Sequence, residues 1–403
     1  MIDTKIENRT KLRFNTTAVK TYSDPKSTNR PLGVPIYQSV KYQAESTQIH
    51  GDYFRQSADT FYMRIGNPTV SAAADKIAEL ERGEKALVFS TGMGAISTTL
   101  LAILKHGDHL VVQKDIYGHT IALLVFLVES HGLELTFVDA TIISEISTAI
   151  KPNTTAIYIE TPSNPLLKIV DIQAVARLAR QNNLQLLVDS TFGSPYLQNP
   201  LELGATLAIH SGTKYLNGHA DILCGAIVGS AVQIDIIRQS QLVLGTVLDP
   251  HAAWLLLRGM KTLGIRMGRQ IENALNLANY LEGHTGVAAV HYPWLESSPY
   301  YSIAQKQMSG GGGVLSFEVA GNIERARTFV DALTLIPTAT SLGGVESVIE
   351  IPAELDYLAH SGVADPVDDS ETPDNLIRLA VGIEDIEDLK ADLERGFDAV
   401  TNM

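Results

Sequence analysis

Cysteine is nearly missing from this chain. The single Cys224 in 403 residues excludes an intrachain disulfide framework and a cysteine-rich metal site. Positive charge is also short: 31 lysines and arginines stand against 45 aspartates and glutamates, a formal charge of −14. That balance argues against nucleic acid or an anionic membrane as partner, so any anionic ligand must be gripped by a local cluster. Long apolar runs are absent too. The longest, Ile121 to Val128, ends at Glu129 and is too short to cross a bilayer. The opening Met1-Ile-Asp-Thr-Lys-Ile-Glu-Asn-Arg mixes charges and lacks the apolar core and cleavage site of a secretory signal. These absences lead to the expectation of a cytoplasmic protein. Ile222, Leu223, Ala226 and Ile227 around Cys224 predict a buried, inert thiol.

What is present is a long alternation of strand-like and helix-like patterns. Short apolar runs at His109 to Val112, Leu135 to Val138, Ala156 to Ile159 and Leu184 to Val188 are separated by helical spacing at 120–130, 143–150 and 172–182. That rhythm predicts an α/β fold with a mostly parallel central sheet covered by helices on both faces. The length suits two domains. Residues 1–57, polar and with little periodicity, read as an extended N-terminal arm that contacts a partner subunit. A large domain is expected over 58–253 and a smaller α+β domain over 254–403. The latter would be introduced by a long helical stretch from Leu255 to Leu281, bent near Gly264. Strands are expected at Gly313 to Val319 and Leu376 to Val381, and helices at Glu324 to Leu333 and Ile386 to Val400. The glycine run Gly310 to Gly313 precedes a strand, so it reads as a flexible loop and not a phosphate cradle.

The chemistry-bearing residues sit at the ends of these runs. Lys214 lies among small and hydroxyl residues in Ser211-Gly212-Thr213-Lys214-Tyr215, after the apolar Ala205 to Ile209. That setting lowers an ammonium's pKa and suits an amine that forms a Schiff base with an aldehyde cofactor. Asp189 ends the run Leu184-Gln-Leu-Leu-Val and can pair with a protonated pyridine nitrogen. Ser90-Thr91-Gly92-Met93-Gly94 joins a strand to a helix, where free N–H groups and the helix dipole favour an anion. Ser211 and Thr213 can add hydroxyls, Arg64 a bidentate fork and Tyr62 a further donor. Tyr117 follows a strand and can stack on a ring. Together these point to pyridoxal 5′-phosphate. His210 and His219 lack a third ligand at suitable spacing, so no metal is expected.

Taken in order, the motifs resemble the transsulfuration family of pyridoxal-phosphate enzymes, which includes cystathionine γ-synthase, cystathionine γ-lyase and methionine γ-lyase. They are Tyr62-Met-Arg64-Ile-Gly-Asn-Pro-Thr69, Gly92-Met93, Tyr117-Gly118, Tyr158-Ile-Glu-Thr-Pro-Ser-Asn164-Pro165, Asp189-Ser-Thr191-Phe192, Ser211-Gly-Thr213-Lys214, Ser341-Leu-Gly-Gly-Val-Glu346-Ser347 and Leu376-Ile-Arg378-Leu. The resemblance runs from about residue 30 to the C-terminus and implies fold type I. It implies Lys214 and Tyr117 as catalytic residues. Tyr62, Arg64, Gly92, Met93, Tyr117, Asp189, Thr191, Ser211, Thr213 and Lys214 would be cofactor ligands, and Asn164, Ser341, Glu346 and Arg378 substrate ligands. It further implies small amino-acid substrates and a homo-oligomer with shared active sites, a dimer at least and commonly a tetramer, since Tyr62 and Arg64 reach the neighbouring subunit's phosphate. The reaction expected first is γ-replacement on an O-activated homoserine, cystathionine γ-synthase-like, through ketimine and vinylglycine-type intermediates. The alternatives are γ-elimination to 2-oxobutyrate and ammonia, or a specialised γ-substitution.

Several positions depart from the family pattern. Methionine γ-lyases carry a cysteine where this chain has His119 and an aspartate near Gly344, which weighs against that activity. Gly212 replaces a small residue bearing a β-carbon, and Ile351 occupies a position often held by histidine. Glu354 to His360 lacks the family's threonine-histidine pair.

Overall fold

The computed structural model describes residues 12–20, 31–355 and 372–402. The chain divides into two compact units, Met1–Ala102 with Ser211–Ile265 and Ile103–His210 with Arg266–Met403. The strands, in chain order, are β1 Lys85–Phe89, β2 His109–Gln113, β3 Glu134–Val138, β4 Thr154–Glu160, β5 Gln185–Asp189, β6 Leu207–Ser211, β7 Gly225–Gly229, β8 Val287–His291, β9 Val314–Val319, β10 Val348–Glu350 and β11 Leu376–Ala380.

In the first unit β1 pairs antiparallel with β7, Lys85 opposite Gly229 and Phe89 opposite Gly225. Helix Pro68–Glu81 packs on β1 through Ala73, Ile77 and Leu80. Its start is fixed by Asn67, whose side chain accepts from the Thr69 and Val70 amides, with Pro68 in the first turn. The segment expected to be wholly extended contains two short helices, Phe14–Val19 and Thr47–Arg55. The second is capped by Ser46 Oγ accepting from the Ile49 amide and carries an Arg55–Asp52 pair at 2.6 Å.

In the second unit β2, β3, β4, β5 and β6 lie parallel, β2 between β3 and β4, and β5 between β4 and β6. Ile157, Ile159, Leu186 and Val188 bury one sheet face against Ile146, Ile172, Val175 and Ala179 from helices Ile143–Ala149 and Ile172–Gln181. Near-continuous apolar strands of this kind need cover on both faces. The same unit holds an antiparallel sheet of order β10-β11-β9-β8, backed by helices Leu263–Glu282, Ile323–Asp331 and Ile386–Thr401. Its core includes Leu277, Phe317, Phe329, Ile349, Leu379 and Phe397. Phe329 meets Phe317 edge-on, ring centres 5.7 Å apart.

Two expectations are corrected here. The stretch 255–281 is not one helix bent at Gly264. It is Pro250–Met260 followed by Leu263–Glu282, with Gly264 inside the latter. Thr262 Oγ1 donates to the Gly259 carbonyl at 3.0 Å, so a side chain competes with the helical ladder at the break. The glycine run is a loop but not a loose one: Gly310 to Gly313 are buried, and Tyr292 Oη donates to the Gly312 carbonyl at 2.9 Å. The stretch after Leu355, including His360, lies outside the described residues.

Candidate active site

The first unit carries Lys214 and the helix start at Gly92. Helix Gly92–Ile103 begins directly after β1 and Ser90-Thr91. Thr91 satisfies two amides of the first turn, Gly94 through Oγ1 at 2.8 Å and Ala95 through its carbonyl at 3.1 Å. Gly92 and Met93 stand in the first turn, at the positive end of the helix dipole, where an anion is favoured. A β-carbon at position 92 would sit 3.0 Å from Ser211 Cβ and Oγ, a tight contact that glycine avoids.

Lys214 lies in the turn after β6. The turn is pinned by backbone bonds, Lys214 N–H to the Ser211 carbonyl at 3.1 Å and Gly218 N–H to the Lys214 carbonyl at 2.8 Å. Thr213 is tied to Cys224 three ways: its amide donates to the Cys224 carbonyl at 3.1 Å, its hydroxyl donates to the same carbonyl at 3.2 Å, and the Cys224 amide donates to that hydroxyl at 2.9 Å. Cys224 is fully buried, and burial pushes its thiol up to about 12, so it is inert as a nucleophile.

Gly212 and Cys224 fit as a pair. A β-carbon at 212 would lie 2.2 Å from Cys224 Sγ. The Cys224 backbone cannot retreat, being bonded to Thr213. Gly212→Ala is therefore expected to cost about 1–3 kcal/mol by overpacking. Gly212→Ala/Cys224→Ala should recover most of it. Thermal melts of the two single variants and the double variant measure the coupling, and simple additivity would show that the contact is not the cause.

Tyr62 and Arg64, also in this unit, are exposed. The Arg64 guanidinium lies over the Tyr62 ring, 5.6 Å from its centre, and Nη1 donates to the Leu242 carbonyl at 2.8 Å.

The second unit carries Tyr117, Asn164, Asp189, Ser341 and Arg378. Asp189 ends β5 and is buried. Its Oδ1 accepts from the Thr191 amide at 3.0 Å and hydroxyl at 2.6 Å, and its Oδ2 from Tyr158 Oη at 3.4 Å. Beside it, opposite in the β4–β5 register, is Glu160. Burial pushes the carboxyl pKa of both upward, with Asp189's negative charge a further cause at Glu160. Glu160 had no assigned role in the sequence reading, yet it holds two functional loops. Its Oε2 accepts from the Tyr117 amide at 3.0 Å and its Oε1 from the Asn164 amide at 3.2 Å. A carboxylate at the end of a buried strand was the available signal.

Arg378, on β11, is buried. Nη1 donates to Asn164 Oδ1 at 2.9 Å, and Nη2 to the Ser341 carbonyl at 2.9 Å and to Glu350 Oε1 at 2.8 Å. Antiparallel pairing puts Glu350 directly opposite Arg378, a partner that the sequence reading missed. Ser341 has φ +88°, a left-handed conformation costing a non-glycine residue about 1–2 kcal/mol, so the carbonyl aimed at Arg378 is held under strain. Arg378 Nε is buried with no acceptor among the described residues. The structure thus joins Arg378, Asn164 and Ser341. Glu346 stands exposed in the loop leading to β10, and Ile351 is packed into the core of the antiparallel sheet.

Each unit thus carries groups of a kind that suits a phosphorylated aldehyde cofactor or an amino-acid substrate. The first has a helix start beside a serine and a lysine in a fixed turn, the second a buried strand-end aspartate and a buried arginine whose Nε has no acceptor among the described residues. The family model described as Cys/Met metabolism PLP-dependent enzyme matches residues 15–398. The chain belongs to that family. It is 42% identical to an L-methionine γ-lyase of Fusobacterium nucleatum over 373 residues, 92% of this chain and 94% of that one. It is 40% identical to the cystathionine γ-lyase of Bacillus subtilis, covering 92% and 95%. The crystal structure of metB from Corynebacterium glutamicum superposes with a TM-score of 0.90 at 38% identity, over 97% of this chain and 99% of that one. The fold is type I and the cofactor is pyridoxal phosphate, as the motifs implied. The chain is a transsulfuration-family enzyme of sulfur amino-acid metabolism. No helix among the described residues is long and apolar enough to cross a membrane. The likeness to relatives named methionine γ-lyase does not test the departures at His119 and Gly344.

Proposed function

We propose that the chain catalyses γ-elimination on a sulfur amino acid, releasing a thiol or thiol amino acid, 2-oxobutyrate and ammonia. This replaces γ-replacement on an activated homoserine as the first reading. The relatives named methionine γ-lyase and cystathionine γ-lyase favour it. The observation that carries the amino-acid substrate is Arg378: a buried guanidinium oriented by Asn164, Ser341 and Glu350, with Nε lacking an acceptor, is built for an α-carboxylate.

When bound, pyridoxal phosphate supplies the electron sink for the pair left at the substrate's α-carbon. The chain's residues do the rest. The Gly92 and Met93 amides, with Ser211 and Thr213, hold the phosphate. Asp189, oriented by Thr191 and Tyr158, keeps a proton on the pyridine nitrogen, and that positive charge offsets the crowding of Asp189 with Glu160. The Tyr117 ring would stack on the pyridine. Lys214 Nζ takes the α-proton and returns protons along the carbon chain. Arg378 fixes the substrate so that the α-proton stays within reach. Glu346, exposed and anionic, meets the distal part of the substrate.

The active species in this reading is an assembly of copies. Ile36, Tyr37, Val40, Phe54 and Tyr62 leave apolar surface exposed on one stretch of chain, and the exposed Tyr62–Arg64 pair completes the neighbouring copy's phosphate site.

Product analysis decides the reaction. Purified holoenzyme given methionine or cystathionine alone should release 2-oxobutyrate at a rate that addition of cysteine does not raise. Thioether formation from an acyl-homoserine plus cysteine, with no 2-oxobutyrate from either thioether, would overturn the proposal.

A further inference from the structure

The exposed Arg64 stands on a turn that is held from several sides, all within the first unit. Ile65 N–H and Gly66 N–H both donate to the Tyr62 carbonyl, at 2.7 and 3.0 Å, and close the turn. The stretch entering it is paired with residues 40–42, Met63 N–H to the Val40 carbonyl at 2.8 Å and Tyr42 N–H to the Phe61 carbonyl at 3.3 Å. At its far end a β-carbon on Gly66 would sit 2.8 Å from Asp59 Cα and Oδ1, so the chain lies against Asp59 with no room for a side chain. The remaining support is a second arginine. Arg238, half-buried on helix Ala231–Leu244, turns Nη2 to the carbonyls of Arg64, at 3.2 Å, and of Ile65. Its Nη1 donates to Oε1 of the buried Gln241, whose Nε2 donates to the Val88 carbonyl on β1 at 2.8 Å. Arg238 is thereby tied to the strand that leads into the helix start at Gly92.

We infer that Arg238 is a positioning residue for the cofactor phosphate, acting through Arg64 and not touching the phosphate itself. The inference rests on the reading that Tyr62 and Arg64 complete the neighbouring copy's phosphate site. Two successive carbonyl oxygens beside an anion would repel it. Bound to the Arg238 guanidinium they are committed to the helix and their partial charge is offset, while the Tyr62 and Arg64 side chains stay exposed. The same helix steadies the Arg64 side chain, whose Nη1 donates to the Leu242 carbonyl in the last turn, where carbonyls lack helical partners. The role needs a planar fork. One guanidinium fixes the Arg64 and Ile65 carbonyls and the Gln241 side chain in set directions, which a flexible ammonium does not.

The test asks whether the loss is confined to the phosphate. Protein stripped of cofactor is titrated with pyridoxal phosphate and, separately, with pyridoxal, which has the same ring and aldehyde without the phosphate; binding is read by absorbance. Arg64→Ala should cut the preference for the phosphorylated form. Arg238→Met should cut it roughly 10- to 100-fold, the range for a hydrogen bond to a charged group, with the affinity for pyridoxal nearly unchanged. Because Arg238 acts through Arg64, the double variant Arg64→Ala/Arg238→Met should lose no more preference than Arg64→Ala alone. Should Arg238→Met not fold, Arg238→Lys, which keeps the charge but not the fork, takes its place in both comparisons with a smaller loss in the same direction. Equal losses on pyridoxal phosphate and pyridoxal would make Arg238 a general structural residue, and additive losses would give it a separate contact; either result overturns the inference. A loss of preference in Arg64→Ala with none at position 238 defeats it alone. An unaltered preference in Arg64→Ala takes Arg64 away from the phosphate, and the inference falls with that reading.

Discussion

Lys214→Ala should lower turnover by on the order of 10⁴-fold or more while leaving the fold in place. The fold is spared because the turn around position 214 is held by main-chain bonds that alanine retains, Lys214 N–H to the Ser211 carbonyl at 3.1 Å and Gly218 N–H to the Lys214 carbonyl at 2.8 Å. Thr213 stays locked to Cys224. The Gly92 and Met93 amides, proposed to hold the phosphate, are untouched, so the variant should still bind the cofactor, more weakly and without a covalent link. Borohydride treatment followed by peptide mapping should place a pyridoxyl group on Lys214 in the parent and nowhere in the variant. A small amine added to the buffer should restore a fraction of the rate, because a missing proton carrier can be replaced from solution whereas a misfolded turn cannot. Near-parental turnover, or a parent enzyme labelled at a different lysine, would remove Lys214 from the centre of the site.

The parts of this molecule that could be read in the sequence are those whose signal is local. The parallel strands β2, β4 and β5 are largely buried runs rich in apolar residues, and Asp189 stands out as the polar residue that ends one of them. Lys214 was legible from its small neighbours and the preceding apolar run. The parts that escaped depend on pairing between distant segments. Glu350 faces Arg378 only because a three-residue strand, Val348–Glu350, too short to show any period, adds itself to β11. Glu160 sits within a recognised motif, but its work is to hold Tyr117 and Asn164, which lie on opposite sides of it in the chain. The helix at Thr47–Arg55 escaped for another reason: it is short, and its few apolar residues, Ile49, Tyr53 and Phe54, are not buried in the chain. The break between Met260 and Leu263 came from a side-chain bond competing with the helix, which periodicity does not register.

Arg378→Leu is expected to produce two separable losses. The first is structural. Arg378 and Glu350 form an ion pair at 2.8 Å with each side chain only 6% exposed, and removing one partner of a buried pair costs about 3–5 kcal/mol because the other is stranded. Asn164 Oδ1 and the strained Ser341 carbonyl also lose their donor, so both loops should loosen. The second loss is catalytic. Without the guanidinium the substrate's α-carboxylate has no charge-assisted fork, and kcat/KM should fall roughly 10²- to 10⁴-fold, mainly through KM. The double variant Arg378→Leu/Glu350→Leu separates them. With both charges gone and apolar volume in their place, the melting temperature should return most of the way to the parental value. Turnover should not return, since nothing replaces the fork. Were the double variant to regain activity along with stability, Arg378 would be a structural residue of the β10–β11 pair, and the α-carboxylate would have to be gripped by another cation.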